Sequence, residues 1–196
     1  MIGRAGWIAG AALAMGLAVA AFGAAGANDD DERAAAARAA ADNFQGLLRA
    51  ELLKALKAGG ATGAIAVCRE KAPEIATKMG AETGWRIART STRVRNPQNA
   101  PDAWESGVLA AFAARLEKGE NIIRMEHGEV VTLPDSSRAY RYMKAIPMGE
   151  ACQKCHGTAV DTSLVARIRE LYPDDRAVGF ATGELRGAFT ITQPLP

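Results

Sequence analysis

The stretch IIRMEHGEVVTLPDSSRAYRYMKAI, residues 122–146, contains three candidate strands in succession and sets the fold class. β-Branched and aromatic residues are concentrated in Ile122–Met125, Glu129–Leu133 and Ala139–Ile146, and such runs are typical of strands. His127-Gly128 is the candidate turn between the first two. We therefore expect much of a sheet to come from this part of the chain.

Predicted helices precede this stretch. Asp29–Lys57 has apolar residues spaced three and four apart, which predicts a long N-terminal helix that Gly59-Gly60 ends. A second helical segment runs from Thr62 to Gly80, and Pro73 either kinks it or begins a new helix. The other predicted elements are a capped helix over Asp102–Lys118, a helix over Leu164–Leu171, and strands over Trp85–Thr90 and Leu185–Thr192. Helices first and strands later predict an α+β fold with an antiparallel sheet flanked by helices.

The composition limits the classes of function. The chain has 196 residues, of which 48% are hydrophobic and 23% charged, and this suits one folded domain. Its formal charge of +2 is too small for a nucleic-acid-binding protein, which carries a clustered basic excess. Three cysteines are too few for a scaffold held by disulfides.

Residues Met1–Ala27 are typical of a secretory signal. Arg4 precedes an uncharged apolar run, Ile8–Phe22, and Ala25-Gly26-Ala27 has the small-x-small pattern of a cleavage site. An uncleaved anchor is the alternative, because about 20 apolar residues can span a bilayer. We expect cleavage, export to a bacterial periplasm, and no membrane association of the mature chain.

Cys152-Gln153-Lys154-Cys155-His156 has the Cys-x-x-Cys-His pattern of covalent haem attachment. Two thiols at this spacing reach the two vinyl groups on one edge of a porphyrin. The next residue, His156, then lies beneath the ring, where its imidazole can bind iron. Attachment happens outside the cytoplasm, in agreement with the export signal. The pattern predicts one covalent haem c held by Cys152 and Cys155, with His156 on the iron.

The residues alone leave other chemistries open. Cys152 and Cys155 are also compatible with a redox dithiol or a structural disulfide. Together with Cys68 and either His127 or His156, they are a legitimate set of zinc ligands. The sixth position of a haem iron is open as well, and its candidates are Met79, Met125, Met143, Met148, His127 and Cys68. Cys68 is notable as the odd thiol of an exported chain.

Several sequence blocks resemble one family in the same order. They are Ala66–Cys68, Ala72–Ala76, Arg89–Ser91, Arg95–Glu105, Arg141–Ile146, Cys152–Gly157, Tyr172–Ala177 and Arg186–Ala188. Through these blocks the chain, from about Ala61 to Leu195, is similar to the c-type haem family proteins, which are small exported domains with a single haem.

This resemblance implies a PAS-like fold around one haem c over residues 61–196, preceded by the helix of residues 28–60. It also implies that the iron ligands are His156 and Cys68. A thiolate ligand stabilises ferric iron, so the reduction potential is expected to be low for a cytochrome c. Because two protein ligands leave no open position on the iron, we expect no enzymatic activity.

Arg86, Arg89, Arg93 and Arg95 form a basic cluster in the sequence. One or two of them are expected to pair with the haem propionates, since a guanidinium matches a carboxylate bidentately, and Arg95 is the first choice. Two functions remain: a periplasmic redox or ligand sensor, favoured by the PAS-like resemblance, and a plain electron carrier with Met or His as sixth ligand. Both imply a redox partner protein whose identity the sequence does not reveal.

Overall fold

The computed structural model describes residues 20–196, with side chains from Asp29 onward. The predicted signal segment Met1–Ala27 lies mainly outside these residues and stays a prediction, as do the proposed domain bounds. Within residues 20–196, no helix combines the length and the hydropathy needed to cross a bilayer.

The N-terminal helix is longer than predicted. Helix α1 covers Ala20–Ala66, compared with the predicted Asp29–Lys57. The backbone leaves helical geometry at Gly59 and Gly60, where φ is −139° and +63°. The second of these values lies in the left-handed region that glycine adopts without steric cost. The predicted interruption at Gly59-Gly60 is thus confirmed, although helical structure resumes directly after it.

A widened π-helical turn, Val67–Lys71, joins α1 to helix α2, Ala72–Thr83. Pro73 lies in the first turn of α2, so it begins a new helix, as a proline without an amide donor can. The predicted end at Gly80 is wrong. Helix α2 continues for one more turn, and Gly84 ends it in left-handed geometry, with its N–H donating to the Gly80 carbonyl.

In residues 20–196, four strands form one antiparallel sheet in the order β1-β4-β3-β2. The strands are β1 Arg86–Thr90, β2 Glu126–Thr132, β3 Arg138–Pro147 and β4 Leu185–Pro194. Three further helices are α3 Ala103–Glu117, α4 Gln153–His156 and α5 Thr162–Leu171. The predicted α+β class, with an antiparallel sheet flanked by helices and a long N-terminal helix, is confirmed.

Two local predictions in residues 122–146 are wrong. Ile122–Arg124 is a 3₁₀ turn, which the Asn121 side chain caps by accepting from the Ile123 N–H. His127 and Gly128 lie inside β2, where Gly128 pairs with Tyr142. A Cβ at Gly128 would lie 2.2 Å from the Tyr140 hydroxyl. The glycine therefore admits an aromatic side chain across the sheet and does not make a turn.

The two faces of the sheet are covered by different helices. Helices α1 and α2 cover one face, and α3 covers the other, where Asp102 and Glu105 form the predicted capping box. The cluster on the first face contains Ala37, Ala41, Phe44, Met79, Ile87, Tyr140, Tyr142, Phe189 and Ile191. Burial of each large apolar side chain contributes about 1.5–3 kcal/mol. The connection from β3 to β4 carries α4 and α5 and lies outside this core.

Candidate functional site

The Cys-x-x-Cys-His motif forms a short helical turn at the end of β3. A 3₁₀ turn, Glu150–Cys152, continues into α4. Residues three and four positions apart lie on the same face of a helix, so Cys152, Cys155 and His156 share one side. Both cysteines are free thiols, and all three side chains are partly buried. One short helical turn thus carries both thiols and the imidazole, with Cys152 packed against the cluster of Met148 and Cys155 against the cluster of Leu164.

His156 is held in one orientation by a backbone carbonyl. Its Nδ1 lies 2.7 Å from the Ala177 oxygen. A carbonyl can only accept a hydrogen bond, so Nδ1 carries the proton and Nε2 keeps its lone pair. Burial, followed by the positive charges of Arg186 and Arg95, lowers the pKa of His156 well below its usual value. The imidazole is therefore neutral, which is the form that binds a metal.

The loop that supplies this carbonyl is bonded to the motif at several points. The Phe180 N–H donates to the His156 carbonyl at 2.9 Å, and the Gly179 N–H donates to the Gly157 carbonyl at 2.8 Å. A Cβ at Gly157 would lie 2.6 Å from the Gln153 carbonyl oxygen. Only glycine fits between the motif helix and this loop without a shift of the backbone.

Arg95 stabilises the motif through its backbone. Its Nη2 donates to the Cys155 carbonyl at 2.7 Å and to Asp175 at 3.1 Å. Arg95 and Asp175 are 8% and 5% exposed, so this is a buried ion pair. Asp175 also accepts from the Ala177 N–H at 2.9 Å, which orders the carbonyl that binds His156. The predicted contact of Arg95 with a propionate stays a prediction, and its buried Nε has no partner among the described residues.

The fold brings Cys68 to this motif although the two are distant in sequence. Cys68 lies in the π-helical turn, where the Ala72 N–H bonds to the Val67 carbonyl. Proline clashes with the carbonyl four residues before it and cannot donate to it, so a widened turn just before Pro73 relieves both problems. Cys155 packs against the cluster of Ile65, which lies three residues before Cys68, and burial there raises the pKa of the Cys155 thiol. π-Bulges of this kind are frequent at functional sites.

Of the methionines considered as ligands, one lies at the motif. Met79 is in the core beneath α1 and α2, and Met125 and Met143 are in the core beneath α3. Met148 packs with Ala177, Phe180 and Cys152. His127 is exposed and lies 3.2 Å from Glu129. The structure therefore leaves Cys68 and Met148 near the motif.

The geometry gives little support to a zinc site or to a thioredoxin-type dithiol. Within residues 20–196, no group of three His, Cys, Asp or Glu side chains is close enough to hold a metal ion, so the zinc ligands are not assembled in this part of the chain. A thioredoxin-type dithiol belongs to a βαβ unit. The sheet of the described residues is entirely antiparallel and contains no such unit.

A cavity of about 340 Å³ opens beside Cys68, between α2 and β1. Its lining includes Cys68, Ala76, Ile87, Arg89 and Asn96. It is a mixed environment, with apolar side chains from both elements and an arginine close to the thiol. The cavity thus lies on the Cys68 side of the site, and Cys152, Cys155 and His156 are not part of its lining.

Sequence reasoning missed three supporting residues. Asp175 and Ala177 hold Arg95 and His156, and Arg186 lies close enough to His156 to act on its pKa. All three fall within sequence blocks that resemble the c-type haem family. Their positions within these blocks could have indicated that the three residues matter, but the blocks do not show what each side chain contacts.

Comparisons with known proteins identify the family. The sequence profile of the Tll0287-like family matches residues 26–194. The crystal structure of the cyanobacterial heme-protein Tll0287 is similar, with a TM-score of 0.53 and 26% sequence identity over 66% of this chain and 73% of that chain. No curated protein matches significantly. The resemblance to c-type haem family proteins is confirmed, and the chain belongs to the Tll0287-like family.

Proposed function

We propose that this chain is a periplasmic single-haem c-type cytochrome domain that acts in redox sensing or electron transfer. Cys152 and Cys155 attach the haem, and His156 and Cys68 are the iron ligands. One observation carries the proposal: the bond from His156 Nδ1 to the Ala177 carbonyl leaves Nε2 unprotonated beside two free thiols. A histidine that ligates a metal is commonly oriented through its other nitrogen in this way.

The residues present fit a covalently attached haem. The two thiols and the imidazole belong to one short helical turn, as the attachment pattern requires. Cys155 packs with the cluster of Ile65, which lies just before the turn of Cys68, and Cys68 would supply the sulfur ligand of the iron. When bound, the haem would supply one-electron redox chemistry. The Ala177 carbonyl orients the imidazole, burial keeps it neutral, and Asp175 holds the Ala177 backbone in place.

Sensing is the favoured role because of the PAS-like resemblance of the chain to c-type haem family proteins. The cavity of about 340 Å³ beside Cys68 is space that a haem bound by Cys68 would itself use, so it supports haem binding and does not separate the two roles. The plain carrier is supported by Met148, which packs against Cys152 and is an alternative sixth ligand.

Location in the periplasm rests on the N-terminal sequence. Arg4, the apolar run and the small residues before Asn28 are typical of an export signal. Covalent haem attachment outside the cytoplasm agrees with it. A redox partner protein is part of the proposal, because an exported haem domain needs a source or an acceptor of electrons.

The cofactor is tested on protein produced in cells with working cytochrome maturation. We expect a coloured product, a positive pyridine haemochrome test, and an added mass of one haem. Cys152→Ala with Cys155→Ala is expected to abolish covalent attachment. A colourless parent protein whose mass equals that of the polypeptide alone would refute the proposal.

The axial ligand is tested by Cys68→Ala, with Met148→Leu and Met79→Leu as matched controls. We expect only Cys68→Ala to change the Soret band and the ligand signature in electron paramagnetic resonance, and to raise the midpoint potential. Unchanged spectra in Cys68→Ala together with a changed spectrum in Met148→Leu would favour the carrier. Binding of carbon monoxide to the reduced parent separates a ligand sensor from a plain carrier, because a ligand sensor binds it and a plain carrier does not.

A further inference from the structure

Three arginines lie around the site. Arg89 lines the cavity with Cys68, Arg95 donates to the Cys155 carbonyl, and Arg186 lies over the ring of Phe180, whose N–H donates to the His156 carbonyl. Asp175 is paired with Arg95 at 3.1 Å. Within residues 20–196, Arg89 and Arg186 have no ion pair of this kind, so two of the three positive charges are uncompensated there. Because an unpaired charge is costly away from water, these charges point to an anionic group that belongs in the site.

Arg89 is the least satisfied of the three. It is half-buried on β1 and lines the cavity beside Cys68. Burial lowers the pKa of its guanidinium, and the ionisable groups that favour its charge are Cys68 and Tyr172, neither of which is a carboxylate. Its other neighbour is the ring of Phe44, whose centroid is 5.8 Å away. An aromatic face supports a cation only weakly.

Arg186 is in a similar position on β4. Burial, with the positive charges of Arg95 and Arg89, lowers its pKa to about 10. Its Nη1 donates to the Ser91 hydroxyl at 3.1 Å and to the Arg93 carbonyl at 3.4 Å. These neutral acceptors orient the guanidinium but do not balance its charge.

We propose that Arg89 and Arg186 bind the two propionate carboxylates of the haem, whereas Arg95 is retained by the protein framework through Asp175. This inference rests on the proposed function. Haem carries two carboxylates, and the site holds two uncompensated guanidinium groups beside the predicted iron ligands. Arginine pairs with carboxylates through parallel N–H bonds, so Arg89 and Arg186 are specificity residues for the anionic edge of the cofactor.

The first test uses resonance Raman spectra of the intact holoprotein, in which propionate bending bands report hydrogen bonds to the carboxylates. We expect these bands to shift in Arg89→Gln and in Arg186→Gln. Arg115→Gln is the matched control, because Arg115 lies on α3, on the other face of the sheet from Arg89, and pairs with Glu120. Unshifted bands in both test variants would overturn the inference.

The second test measures non-covalent binding by the full-length Cys152→Ala/Cys155→Ala chain. Haemin and its dimethyl ester differ only at the two propionates, which are charged carboxylates in haemin and neutral methyl esters in the derivative. We expect Arg89→Gln and Arg186→Gln each to weaken haemin binding about tenfold and to leave binding of the ester unchanged. Equal weakening for both ligands would show a packing effect and overturn the inference, as would no weakening for either.

Failure of the proposed function and failure of this inference alone give different results. Absence of haem from the parent protein, seen in the haemochrome test, refutes the proposed function and this inference with it. Haem present with the expected axial ligands, but with propionate bands that neither substitution shifts, refutes the inference alone.

Discussion

The buried ion pair between Arg95 and Asp175 should be the most sensitive point of the site outside the motif. The two groups are 3.1 Å apart and 8% and 5% exposed. At an effective dielectric constant of about 20, their attraction is about 5 kcal/mol. Part of it offsets desolvation, and removal of one partner from a buried pair costs about 3–5 kcal/mol, because the other charge is left uncompensated.

Asp175→Asn removes the charge and keeps an oxygen that can accept from Ala177. We expect a loss of about 3 kcal/mol in the free energy of unfolding. With an m-value of about 2 kcal/mol per molar urea, the unfolding midpoint falls by about 1.5 M. Arg95→Met should cost at least as much, because the Cys155 carbonyl also loses its donor. Urea unfolding of parent and variants in the same haem state measures both.

A double-mutant cycle completes the assay. The Arg95→Met/Asp175→Asn chain should cost less than the sum of the single losses, because neither charge is then left alone. Arg167→Met, in the exposed pair with Glu170, is the control and should leave the midpoint nearly unchanged. Single losses below about 1 kcal/mol with no coupling would refute the assignment of a stabilising buried pair.

Three further predictions concern other parts of the fold. Gly157→Ala should reduce haem incorporation and lower stability by about 1–3 kcal/mol, since its Cβ would lie 2.6 Å from the Gln153 carbonyl oxygen. The hydrogen bond from Arg38 lowers the pKa of Glu126. The ionised Glu126 therefore stabilises the fold above the ordinary glutamate pKa, and this stabilisation is lost as the pH falls through the lowered pKa of the folded state. Glu126→Gln should destabilise the protein at neutral pH and much less in acid. Phe112→Ala, at a fully buried position, should cost about 3–5 kcal/mol.

Each of these three predictions would be contradicted by a specific result. Haem content of Gly157→Ala equal to the parent in the haemochrome assay would show that the backbone yields at this point. A stability difference between Glu126→Gln and parent that is the same at neutral and acid pH would exclude a role for its ionisation. A change in melting temperature of under a degree for Phe112→Ala would contradict its place in the core.

Sequence patterns predicted the elements that depend on local chemistry. The capping pattern of Asp102 with Glu105, the break at Gly59-Gly60 and the strand over residues 139–146 all correspond to observed structure. Capping and helix termination are governed by residues within one turn of each other, so the local sequence is enough to predict them.

Local patterns failed where pairing across the sheet outweighs them. Gly128 has the composition of a turn, yet β2 pairs with β3 along its whole length, and the glycine admits the ring of Tyr140. Gly80 has the composition of a helix end, yet the helix extends to Thr83 and ends at Gly84. At both positions the composition is typical of a turn or a helix end, but the glycine lies inside a strand or a helix, because tertiary contacts outweigh local preference.

The sequence by itself determined the chemistry available to this protein, because two thiols and an imidazole at fixed spacing within one helical turn depend only on neighbouring residues. Tertiary structure decided which groups serve that chemistry. It packed Cys155 against Ile65, just before the turn of Cys68, directed the Ala177 carbonyl to His156, and joined Arg95 to Asp175. Among residues 20–196, Arg89 and Arg186 form no such ion pair. These contacts join segments distant in sequence, and only the packing of helices on the sheet brings such segments within hydrogen-bonding distance.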